Sequence, residues 1–84
     1  MAKADIYQTW RFNSLMSAAQ MQVSMWRSSV RQRHALGYID IARDMVIDAL
    51  RYANRMGCKA RKALCLKLLT WLRVARTQTD KRFA

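Results

Sequence analysis

The chain has no proline and no glutamate, and only two glycines, two cysteines and one histidine among its 84 residues. Each shortage removes a class of protein. With glycine only at Gly37 and Gly57, nothing else punctuates the chain, so it reads as a few long segments. Two cysteines are too few for a disulfide scaffold and fit a reducing compartment. Cys58 and Cys65 lie two helical turns apart, roughly 10 Å of rise, which is too far for an internal disulfide. With His34 they make a poor zinc set. Without glutamate, carboxylate chemistry would fall to five aspartates. Asp40, Asp44 and Asp48 follow one another at helical spacing beside Arg43 and Arg51, a solvated face rather than a magnesium site.

Long apolar runs are missing too. The best, Leu64 to Leu72, is interrupted by Lys67 and Thr70, which argues against a membrane-spanning helix. Lys3 is not followed by an apolar stretch and cleavage site, so no classical secretion signal is expected. A cytoplasmic or virion setting follows as the expectation. Phosphate-binding glycine loops, dinucleotide fingerprints, zinc fingers and aromatic RNA-recognition motifs are absent. The expectation is a non-enzymatic protein with no cofactor and no metal.

What the chain holds is 52% hydrophobic residues, and 16 Lys and Arg against 5 Asp, a formal net charge of +11. That apolar content excludes a disordered basic tail. The length makes one helical domain, 1–84, whose small core needs regular helix packing or self-association. Phe12, Met16, Ala19, Val23, Trp26 and Val30 follow a 4-3-4-3-4 spacing. They predict a long first helix from about Asp5 to Ala35, about 30 residues, or two helices if Ser28–Ser29 breaks it. Asp5 suits its N-cap or first turn. Tyr38, Ala42, Met45, Ala49, Tyr52 and Met56 repeat the spacing in a second helix that ends at Gly57. The third runs from about Lys59 to Gln78 with Leu64, Leu68, Trp71 and Ala75 as its stripe, and residues 79–84 are expected to fray. The fold class is all-α: an antiparallel bundle of three helices, or four short ones, with the first helix long. A first helix that outruns the second leaves Trp10 and Phe12 overhanging, and Leu66 and Val74 face away from the third stripe. These four are the candidate contacts of a homo-oligomer or larger assembly. Trp26 and Trp71 read as core, whereas Tyr7 and Trp10 are free to stack bases or anchor a neighbour.

Charge is uneven along the chain: +4 over residues 1–39, zero over 40–56 and +7 over 57–84. The candidate phosphate-binding residues are Arg27, Arg31 and Arg33, with His34 at a helix C-terminus beside them, and Lys59, Arg61, Lys62, Lys67, Arg73, Arg76, Lys81 and Arg82. Eleven of the sixteen cations are arginine, whose planar donor set suits phosphate. Arg27 and Arg31 are expected to share a helix face, and the cluster around them to form one surface with the third helix. The function expected is a nucleic-acid-binding protein that contacts phosphates with little base preference, as an oligomer or within a nucleoprotein assembly. The alternatives are a helical adaptor for an acidic protein, and a helix-turn-helix DNA-binding regulator whose turn is Gly37 or Gly57. A membrane-surface amphipathic helix is a further rival.

Overall fold

The computed structural model describes residues 3–84, with side chains from Ile6 onward, so Asp5 as a capping residue lies outside the described side chains. Three helices form a compact antiparallel bundle with no sheet: α1 (Lys3–Ser28), α2 (Gln32–Met56) and α3 (Lys59–Arg82). α1 is long at 26 residues, but α2 and α3 match it at 25 and 24. The expected overhang is therefore absent, because residues 32–35 belong to α2 rather than to the first helix.

The break falls at the serines and not at Gly37. Ser28 Oγ donates to the Ser24 and Met25 carbonyls, and Ser29 Oγ donates to the Met25 carbonyl at 2.7 Å. These bonds occupy carbonyls that a helix end leaves without partners. The Arg82 guanidinium arrives from α3 and donates to the Trp26 and Ser29 carbonyls, closing the end with a cation where the helix dipole is negative. Gly37 sits in the second turn of α2, exposed and with open space around it. Glycine there costs roughly 1 kcal/mol relative to alanine, which tertiary contacts offset.

Gly57 does terminate α2. It adopts φ 65°, ψ 24°, the left-handed region that favours glycine. Its N–H donates to the Asn54 carbonyl at 3.1 Å, and that of Cys58 to the Ala53 carbonyl at 3.2 Å. This pair of bonds is a Schellman motif. Cys58 then opens α3 in an extended conformation.

α2 is the centre of the bundle. α1 and α3 each lie against it, while their own backbones stay further apart. Its buried line is Ala35, Ile39, Ala42, Val46, Ala49 and Ala53. Ala42 and Ala49 of the expected stripe belong to this line, whereas its Tyr38, Met45 and Tyr52 are half-buried flanks. Four alanines on one face let both neighbours approach closely. In α3 the expected stripe holds for Ala75 and, half-buried, Leu68, whereas Leu64 and Trp71 are exposed and Cys65, Leu72 and Thr79 are buried beside it. In α1 the expected stripe holds for Phe12, Met16, Ala19 and Trp26, with Val23 half-buried and Val30 exposed in the linker.

Large side chains fill the space between α1 and α3. Trp26 Nε1 donates to Thr79 Oγ1 at 2.7 Å, and that hydroxyl donates to the Ala75 carbonyl at 2.7 Å. Trp71 meets Trp26 edge-on with ring centroids 5.7 Å apart. The helix continues through Thr79 to Arg82, and Phe83 packs against the core, so these residues are ordered by contacts rather than frayed. No helix among the described residues is long and apolar enough to cross a membrane.

Candidate nucleic-acid interface

The antiparallel order sorts the cations between two ends. The Ser29 end gathers the C-terminus of α1, the N-terminus of α2 and the C-terminus of α3. The Gly57 end gathers the other three termini. Of the predicted residues, Arg27, Arg31, Arg33, Arg76, Lys81 and Arg82 fall in the Ser29 half, with Arg73 nearer the middle. Lys59, Arg61 and Lys62 fall at the Gly57 end. About 20 residues of α3 separate Lys62 from Arg82, roughly 30 Å of helix. Lys67 lies between them, exposed. The predicted surface is therefore two poles and a flank rather than one continuous patch.

At the Ser29 end, Arg27 and Arg31 do not share a helix face. Arg27 stands in the last turn of α1, and Arg31 is the extended residue that precedes α2. His34 lies in the first turn of α2, an N-terminus rather than the expected C-terminus. Arg82 is committed to the end of α1, and it also lies over the Trp26 ring at 5.9 Å and the Phe83 ring at 4.6 Å. Arg76 pairs with Asp40 across the α2–α3 seam at 3.1 Å. These two arginines thus serve the fold as well as the field. Arg31, Arg33, Arg73 and Lys81 are exposed and have no ion pair among the described residues.

Between α2 and α3 the structure joins Arg43 to Arg73 and Arg76. The three guanidinium groups and Asp40 surround a cavity of about 280 Å³ floored by Ile39, Leu69 and Leu72. The sequence places Arg43 beside the α2 aspartates; its approach to α3 follows from the pairing of the two helices. The one intrahelical ion pair among the described residues is instead Arg51 with Asp48, at 2.9 Å. No cluster of three metal-ligating side chains exists among the described residues.

The Gly57 end joins Tyr7 and Trp10 to two further arginines, Arg11 and Arg55, through Tyr52. Arg11 of α1 lies 5.8 Å over the Trp10 ring and 5.7 Å over the Tyr52 ring. Arg55 covers Tyr52 at 5.3 Å. Tyr7 stands 6.1 Å from Trp10 and 6.3 Å from Tyr52, tilted by 45° and 70°. The phenol of Tyr52 is held below its ordinary pKa, chiefly by N–H donors of Arg11 and then by Tyr7 and the charges of Arg11 and Arg55. The same contact holds Arg11 above its ordinary value, so its charge is secure. Arg61, from the start of α3, lies 5.5 Å over Phe12 and donates to Met56 Sδ. Arg11 and Arg55 sit forty-odd residues apart, and only their shared contact with Tyr52 could have revealed them.

Among the four expected subunit contacts, Phe12 is corrected: it is 4% exposed inside its own chain. Trp10, Leu66 and Val74 are exposed. A shallow groove of about 360 Å³ runs between α1 and α3, lined by Gln20, Val23, Ser24, Arg27, Leu68 and Trp71. α2 and α3 pack antiparallel along their lengths, unlike the near-perpendicular crossing of a helix-turn-helix. Comparison with protein-family models, curated proteins and solved structures finds no match to this chain.

Proposed function

We propose that this chain is a non-enzymatic nucleic-acid-binding protein that holds the phosphate backbone and acts as an oligomer or within a larger nucleoprotein assembly. One observation carries the reading. The chain carries a net charge of +11 on a helical bar 49 Å long, and only Arg51 and Arg76 are ion-paired among the described residues. Like charges held that close by a fixed scaffold repel one another, and a polyanion relieves the repulsion. Cations at both ends and along the Arg43–Arg73 flank can touch successive phosphates without reading bases.

Roughly six phosphate contacts imply a loss of about a thousandfold in affinity between 50 and 200 mM salt. Fluorescence anisotropy with a labelled oligonucleotide measures this directly. Affinity that stays constant across that range sinks the reading. A second reading is an adaptor for an acidic helical protein, favoured by the groove that joins Val23, Leu68 and Trp71 to Arg27. Absorbance at 260 nm in protein purified at low salt supports nucleic acid, and its absence together with a tightly bound acidic protein supports the adaptor.

A further inference from the structure

We propose that the cluster of Tyr7, Trp10, Arg11, Tyr52 and Arg55 is a base-stacking platform that makes this protein a binder of single-stranded nucleic acid. The inference rests on the phosphate-binding reading and assigns it a strand form.

The rings at the Gly57 end are surplus to the core. Trp10 is 59% exposed and Tyr7 is 55% exposed, although each is held against a neighbour. The half-buried Tyr52 beneath them is the anchor, and the rings step outward from it through Tyr7 to Trp10. Their tilted contacts matter. Tyr7 and Trp10 are tilted by 45° rather than stacked face to face, so neither ring is covered by the other, and more than half of each residue is exposed. An exposed aromatic face held in place is what an unstacked base can lie on, and every base has such a face.

The arginines supply the second half of a nucleotide site. Arg11 bridges Trp10 and Tyr52, and Arg55 lies over Tyr52. Neither has a carboxylate within ion-pairing distance among the described residues. A guanidinium resting on a ring keeps donors at its edge for a phosphate oxygen. Base and phosphate of one nucleotide would thus meet a ring and a guanidinium that already touch.

The same geometry selects against duplex. In a duplex the base faces are occupied by neighbouring bases, and only edges are offered in the grooves. A platform of rings on a convex helical surface gains nothing from edges. A second copy of this chain fits poorly as the occupant, because a face-to-face meeting would bring Arg11 and Arg55 against their own equivalents on a molecule of charge +11.

The test compares a short oligothymidylate, an abasic strand of equal length and a duplex, by anisotropy at several matched salt concentrations. The wild-type protein should bind oligothymidylate at least about tenfold tighter than the abasic strand, the margin that one or two stacked bases provide. Trp10→Ala and Tyr7→Ala should each shrink that margin, while abasic-strand affinity and the salt slope stay put. Trp10→Phe should restore most of it. Equal binding of the oligothymidylate and abasic strands overturns the platform and leaves phosphate binding standing. A margin that survives both alanine variants also overturns it. So does sedimentation showing that Trp10→Ala acts by dissolving a self-associated species. Binding to none of the three strands overturns the platform together with the reading beneath it.

Discussion

Trp26 at the Ser29 end and Trp10 at the Gly57 end both meet an arginine, but they are used in opposite ways. Trp26 is 9% exposed; its N–H is satisfied by Thr79, its ring is edged by Trp71, and Arg82 closes over it onto the end of α1. Trp10 is 59% exposed, and its arginine, Arg11, lies over the ring with no helix end to cap. The difference teaches that arginine beside an aromatic ring has no fixed meaning. Where the guanidinium also finds backbone carbonyls, it locks helices together. Where it finds only rings, as Arg11 does at Trp10 and Tyr52, it closes no helix end.

Removing each ring is the sharpest way to break this contrast. Trp26→Ala should cost about 3–5 kcal/mol, a large share of the stability of a small domain. Trp10→Ala should stay within about 0.5 kcal/mol, as exposed substitutions do. Urea unfolding followed by circular dichroism measures both, and equal losses would show the two ends to be built alike. A smaller effect isolates the polar link. Thr79→Val keeps the shape of the side chain and removes the acceptor of the Trp26 N–H, so it should cost about 1–3 kcal/mol, and Thr79→Ser should recover much of that. The least demanding comparison uses the thiols. Cys58 opens α3, where the backbone N–H of Arg61 lowers its pKa, with its charge adding to the effect against desolvation. Burial raises that of Cys65. Thiolate is the reactive form, so iodoacetamide should label Cys58 at a lower pH than a free thiol. Cys65, fully buried, should resist until the chain unfolds. Mass spectrometry of the two peptides across a pH series reads the order.

Much of the fold is legible in the sequence. Three helices follow from the apolar spacing, and Gly57 follows from its place after the last periodic residue. Gly37 misleads because glycine in an exposed helical turn carries only a modest penalty, whereas the true break depends on Arg82, fifty-three residues beyond Ser29, reaching back to its carbonyl. Of the expected inner faces of α2 and α3, Ala42, Ala49 and Ala75 hold, while the large members are displaced for a related reason. Spacing alone weights large residues such as Tyr38 and Tyr52, while close helix contact selects the alanines beside them. At the candidate interface, composition locates the excess charge but not its division into two ends. The Arg11–Tyr52–Arg55 contact joins α1 to α2 across more than forty residues, and no local pattern announces it.

The central place of α2 also bears on how quickly the chain closes. α2 adjoins both its partners in sequence as well as in space, so each seam can zip from its own short connection, at Ser29–Arg31 or at Gly57–Cys58. Helical proteins dominated by such pairings fold in microseconds to milliseconds. Contacts between α1 and α3, such as Arg61 on Phe12 and Arg82 on Trp26, close the longest loops, so their closure costs the most chain entropy. Each end thus combines a short connection with an α1–α3 contact that closes a long loop.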